Sequence, residues 1–254
     1  MKKLFNYFLF LPFIVCFNKQ SLLAQRKIWI GAKAGLAIPD LKSSSSNPIS
    51  SGWKSRLGPY FGAFADFEIN EKFSLQTEIN YSAQGGKKNG VQTMPGDQFA
   101  SFFSPNPPPQ YLYATFNSEA KLNYLEIPIL LKVDFPFSNG WTFFLDAGPY
   151  AGLLLSAKQA NKGSSNIYLD KGETQPITPQ PVPFDGTEDI KSDLKKFNTG
   201  IQGGIGVSLK LRSGVLVLSA GGNYGFIKIQ KDETNGTNNT GAATVTLGYL
   251  ISLK

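Results

Sequence analysis

The residues that could do chemistry sit in four short stretches. In "YLEIPILLKVDF" (124–135), Glu126, Lys132 and Asp134 share one phase of a strict alternation whose other phase is wholly apolar. "DGTEDIKSD" (185–193) gathers Asp185, Glu188, Asp189 and Asp193. Oxygen-rich loops can bind Ca²⁺, but this spacing does not match the D-x-[DN]-x-[DN]-G calcium loop and reads as a solvated acidic patch. "GIQGGIG" (200–206) lacks the GK[ST] ending of a phosphate loop and lies inside an alternating strand rather than before a helix. Its glycines are those of a strand that bends and leaves room for neighbours. The chain contains no histidine, so a Ser–His–Asp triad is impossible. Acyl transfer would need another base, for which no constellation is visible. The chemistry implied is that of a non-enzyme with no cofactor and no metal site.

The fourth stretch is "FFSPNPPPQYLYATF" (102–116), in which prolines stiffen an extended chain among Phe102, Phe103, Tyr111, Tyr113 and Phe116. Aromatics on a preordered loop make a candidate recognition surface. Tyr111 and Tyr113 also nearly keep strand alternation, so the same residues could extend two strands as a hairpin.

What positions these residues begins with the N-terminus. Lys2 and Lys3 precede an apolar run over residues 4–17, and "SLLAQ" offers Ala24 for cleavage. Residues 1–24 read as a secretory signal peptide, too short and too soon polar for a spanning helix. Its removal takes the single cysteine and lowers the formal charge from +7 to +4 by three lysines, Lys2, Lys3 and Lys19. The exported remainder, 25–254, is enough for one domain and has no disulfide to hold it. Its charge is too weak to argue for nucleic acid, and suits anionic lipid or lipopolysaccharide phosphate as neighbours.

Period-2 alternation then recurs eight times, near 28–38, 61–69, 73–81, 125–135, 141–153, 198–210, 216–226 and 244–253. The connections alternate strictly. Tight turns lie around Asn70-Glu71, Ser138-Asn139-Gly140 and Arg212-Ser213-Gly214; long polar segments lie near 39–58, 84–119, 157–196 and 230–241. Short periplasmic turns and long extracellular loops are the rule in outer-membrane barrels. Aromatics agree: Phe67, Phe73, Phe135, Phe137 and Trp141 flank the short turns, and Tyr81, Tyr224 and Phe226 lie at the opposite strand ends. The expected fold is an all-β, eight-stranded antiparallel up-and-down transmembrane β-barrel with both termini periplasmic.

In such a barrel the apolar phase meets lipid and the charged phase meets the lumen. Lys33, Asp66, Glu68, Glu78, Glu126, Lys132, Asp134, Asp146 and Lys210 all take the inward phase. Eight strands leave an interior only wide enough for side chains, so these charges should pair and plug it.

"NYLEIPILLKVDF", "FFLDAGPYAGLLLSAK" and "FNTGIQGGIGVSLKL" together resemble the small outer-membrane β-barrel proteins often labelled PorT-like, over nearly the whole mature chain. The resemblance implies OmpA- or OmpX-type architecture and no particular activity. One member has a role in protein secretion and gliding. The chain departs from many such barrels by ending Leu253-Lys254 rather than on an aromatic, which bears on recognition by the barrel assembly machinery.

The expected function is therefore non-enzymatic, acting through surface loops or in envelope integrity. Its expected partners are outer-membrane lipid and lipopolysaccharide, the assembly machinery during biogenesis, and a protein at the extracellular loops. Two other readings stay open: a soluble periplasmic lipocalin-like carrier of a small apolar ligand, and an accessory subunit of a secretion or gliding machine. Inward Asp66, Glu78, Glu126, Lys132 and Lys210 weigh against the carrier. Epitope tags at Asn89 and Asn166 are expected to be reachable on intact cells and a tag at Asn139 is not. Equal labelling of all three would reject the orientation.

Overall fold

The alternation becomes eight wall strands: β1 (Ile28–Ser43), β2 (Gly58–Glu68), β3 (Phe73–Lys88), β4 (Asn117–Ser138), β5 (Trp141–Lys162), β6 (Phe197–Lys210), β7 (Val215–Gly225) and β8 (Asn238–Leu253). This computed structural model describes residues 27–43 and 46–253, so the expected signal peptide lies outside the described residues. Every strand pairs antiparallel with its sequence neighbour. The first and last then pair from Ile28↔Leu253 to Ser43↔Asn238, which closes the ring. Closure leaves no unpaired wall edge, the condition a sheet must meet in hydrocarbon.

The outward phase is bare of polar cover. On β4, Ile127, Ile129 and Leu131 are about half exposed, while Glu126, Leu130 and Lys132 between them are buried. The same belt continues through Leu36, Ile79, Ile201, Ile205, Leu218 and Leu247. So much contiguous apolar surface would drive aggregation in water and is the surface a lipid-facing wall requires. Rings gather at its rims: Phe135 and Phe143 lie 6.1 Å apart near one end, and Phe61 stacks on Tyr81 at 5.0 Å toward the other.

The short turns have local causes. Asn139 and Gly140 both take positive φ, 29° and 86°, between the paired Ser138 and Trp141. That is the backbone of a two-residue hairpin turn, for which Asn-Gly is the favoured pair. At the first turn the Asn70 side chain accepts from the backbone N–H groups of Lys72 and Phe73. Pro128, in the middle of β4, has no N–H to donate, and the ladders to β3 and β5 both skip partners beside it.

The wall is taller than the alternation indicates. β4 and β5 run 22 residues each, against 11 for β2 and β7, and β3 continues to Lys88. The segments 84–119 and 157–196 are thus partly strand: on β4 the alternation persists above the lipid but inverts, with Ala120, Leu122 and Tyr124 inward and Glu119, Lys121 and Asn123 outward. Beyond the wall, 91–95 pairs with 111–115 as a separate hairpin, and Gly186–Asp189 adds to the edge of β5. Met94, Leu112, Ala114, Phe116 and Ile167 form a second small core there, with Phe99, Phe103, Val182 and Phe184 packed on it. The two longest loops thus fold on each other as a cap.

Glycine decides one inward contact. A Cβ on Gly206 would sit 2.3 Å from Cζ of Phe144, the ring that fills the lumen beside it. Gly206→Val should therefore destabilise the barrel by about 1–3 kcal/mol through overpacking. Denaturant unfolding in detergent or lipid checks this; an unchanged midpoint would contradict the close packing.

Candidate functional site: the charged lumen and the chamber above it

β1–β4 converge most of the inward charges in two storeys. In the lower one, Lys132 Nζ lies 2.7 Å from Asp66 Oδ2 and 3.4 Å from Asp134, with the Phe144 ring centroid 5.0 Å away. In the next, Lys33 Nζ donates to Glu78 Oε2 at 2.7 Å between the rings of Tyr60 and Phe64. Glu78 also accepts from Gln76, Asn80 and Gln202. Asn80 donates as well to the Tyr60 hydroxyl at 2.7 Å. A buried charge survives only when paired and hydrogen-bonded; Glu78 meets that condition on both oxygens, and Asp66 through Oδ2, its Oδ1 having no partner among the described residues.

Glu126 is different. It is 1 % exposed and has no cation within 4 Å among the described residues. Its donors are the side-chain amides of Gln84 at 3.2 Å and Asn223 at 2.9 Å. Asp146 is only partly buried and makes no ion pair among the described residues. With Lys33, Glu78 and Gln202 it lines a void of about 30 Å³, room for one or two waters.

Two inward-phase residues do not belong to this network. Glu68 stands at the turn end, accepting from the Trp29 indole at 2.7 Å, and Lys210 is exposed beside Gly140. Their phase is inward, but strand stagger places them at the rim rather than in the lumen.

Above the charges lies a storey that sequence reasoning missed. Leu41, Leu122, Tyr124, Leu154 and Ala157 project inward from β1, β4 and β5, and Leu194 and Ile229 come down from the loops to complete one buried cluster. The signal was available: Tyr124, Leu122 and Ala120 continue the Glu126 phase of β4. The aromatics of the 102–116 segment also divide. Phe102 is exposed and Tyr111 and Tyr113 half-buried, but Phe116 is 9 % exposed and stacks on Phe184 at 4.4 Å, and Phe103 packs on the same core. Phe116 is therefore cap core and not recognition surface. Of the acidic patch, Asp185 and Asp189 accept from the backbone N–H groups of Gly163 and Lys191. Among the described residues no group of three or more candidate ligands could hold a metal ion.

Between the apolar storey and the cap is a chamber of about 620 Å³. The connection between β1 and β2 lines it with Ile49, Ser50 and Trp53, and is tied to the wall by Lys54, bridged to Lys87, and by Arg56, which donates to Glu119 at 2.8 Å and to the Gln84 carbonyl. Burial acts to raise the Glu119 carboxyl, but the Arg56 hydrogen bond and charge outweigh it and hold the group below its ordinary value. Lys88, at the loop end of β3, donates to the Ile49 carbonyl and lies 4.8 Å from the Trp53 ring centroid. Burial pushes its ammonium down from 10.5 to about 8.

The ion pairs and this lysine each give an expectation. Lys132→Met should lower stability by about 3–5 kcal/mol because Asp66 is left buried and unpaired, and adding Asp66→Asn should restore much of the loss. Equilibrium unfolding of both variants checks it; a single variant as stable as wild type would contradict the pairing. For Lys88 the unfolded chain holds more protons between about pH 8 and 10.5, so its contribution to stability rises with pH across that window. Carbon-13 methylation of the lysines should reveal one resonance titrating near 8, lost in Lys88→Met. Titration of every lysine near 10.5 would contradict its burial.

With this geometry in hand, comparison gives the lineage. Solved structures similar to this chain include Neisserial surface protein A at 14% identity and TM-score 0.41, covering 88% of this chain and 96% of that one. The attachment invasion locus protein Ail of Yersinia pestis matches at 11% and 0.36, covering 89% and 98%. OprG of Pseudomonas aeruginosa matches at 10% and 0.35, covering 89% and 93%. No curated protein matches the sequence. The family model described as outer membrane protein beta-barrel domain matches residues 18–231, most of the chain. This chain belongs to that family: it is a Gram-negative outer-membrane β-barrel.

Proposed function

We propose that this is a non-enzymatic, non-conducting outer-membrane barrel whose working surface is its extracellular loop assembly. The observation that carries the reading is the division of the interior. Ion pairs and the apolar storey of Leu41, Leu122, Tyr124 and Leu154 fill the ring, while the open space lies above them under the cap. Tall strands and interlocked loops are useful to a protein that presents a surface, and superfluous to one that only spans. Both termini face the periplasm in this reading, since the β1–β8 ends at Ile28 and Leu253 lie with the short turns. The PorT-like resemblance of the β4, β5 and β6 motifs favours that group within the family.

The absence of histidine supports a non-enzymatic role. Outer-membrane lipid and lipopolysaccharide are its neighbours, the barrel assembly machinery acts on it during biogenesis, and protein partners meet its loops. A soluble carrier is set aside by the outer-membrane family assignment, and its apolar cup has no place among the lumen charges.

Purified protein in planar bilayers should show at most small, irregular current. A steady porin-sized conductance would overturn the closed-lumen reading and make the protein a channel.

A further inference from the structure

We infer that the chamber under the cap is a binding site for a neutral oligosaccharide. The inference rests on the proposed function and names the ligand class of its working surface. At about 620 Å³ the chamber lies within the range of small-molecule sites, which combine apolar walls with a few convergent polar groups.

Its walls have the two components that sugars need. Trp53, Phe99 and Phe184 offer aromatic faces for the apolar C–H side of a pyranose ring. Gln98, Gln159 and Asn161 offer amides, each with both donor and acceptor capacity for hydroxyl groups. That capacity is largely unused. Gln98 makes no hydrogen bond among the described residues, and Gln159 and Asn161 share one long contact of 3.4 Å. Amides left open on a chamber wall can bond a polyhydroxyl guest directly or through water.

Other ligand classes fit less well. An alkyl chain or sterol would strip water from the amides and return no hydrogen bond. An anion would meet the carboxylates of Glu188, Asp193 and Asp232 on the lining, against one cation, Lys88, already held by the Ile49 carbonyl and the Trp53 ring. A cationic peptide would find three carboxylates against one ammonium, but would leave the aromatic faces of Trp53, Phe99 and Phe184 and the open amides without their matching groups. An uncharged, hydroxyl-rich molecule uses both the rings and the amides.

The test uses the folded full chain in lipid nanodiscs. Maltotriose, cellotriose, mannotriose and triacetylchitotriose are titrated by calorimetry and indole fluorescence, beside sialyllactose, palmitate and a lysine-rich peptide. At least one neutral trisaccharide should bind, and Gln159→Ala with Asn161→Ala should weaken it by about tenfold through lost hydrogen bonds. Trp53→Phe should silence the fluorescence change while the heat of binding persists. Gln98→Ala, exposed in the 3₁₀ helix Gly96–Phe102, replaces the double variant if the latter fails to fold, read by whether its gel mobility shifts on boiling as the wild type's does. Failure of all four neutral sugars to bind, unchanged affinity in the folded variants, or tighter binding of sialyllactose, palmitate or peptide would each overturn the inference. Bilayer recordings on the same sample separate the two readings. A closed lumen without sugar binding overturns this one alone, and an open pore overturns the function on which it rests.

Discussion

Everything in this molecule follows from one constraint: inside a bilayer the backbone must find all its hydrogen-bond partners within the protein. A sheet meets it only by closing, and the pairing of β1 with β8 supplies the closure. Closure with eight strands makes the interior narrow, and alternation forces half of every strand into it. The inward residues therefore cannot be left as scattered charges. Lys33 with Glu78, wrapped in rings and amides, and Lys132 with Asp66, against the Phe144 ring, are the result. Gly206 is the same constraint seen from the other side, small because Phe144 is large.

Much of this was legible in the sequence, and the reason is physical. Period-2 alternation is strong wherever one face meets lipid, so all eight wall strands were visible, as was the alternation of short turns with long loops. Phase was legible too, and it pointed Asp66, Glu78, Glu126 and Lys132 inward. Depth was not. Glu68 and Lys210 share the inward phase but stand at the rim, because strand stagger is a property of the closed ring and not of any one strand. Above the lipid the pattern inverts, apolar residues such as Leu122 and Tyr124 turning inward and polar ones outward, so the tops of β3, β4 and β5 read as loop. Phe116, grouped by proximity with the exposed Phe102, turned out to be core, because its partner Phe184 lies in a different loop that sequence order cannot bring near.

The division of labour along the axis is the consequence that bears on function. Below, inward side chains pair Lys33 with Glu78 and Lys132 with Asp66, and the wall turns an apolar face outward. Above, the loops stop being connections and become a small folded body with its own core of Met94, Leu112, Phe116 and Ile167. The fold belongs to the family; the chemistry available for recognition belongs to this cap and to the chamber beneath it.

The seal between lumen and chamber is the central claim, and accessibility to a thiol reagent tests it most directly. The cysteine of the natural sequence lies at position 16, in the expected signal segment, so a cysteine placed at Ser82 reports alone. Ser82 is fully buried in the lumen beside Gln84. A charged, membrane-impermeant methanethiosulfonate added to the loop side should label Asn89→Cys promptly and leave Ser82→Cys unmodified in the folded protein. Labelling of Ser82→Cys at the rate of the exposed control would contradict a sealed lumen.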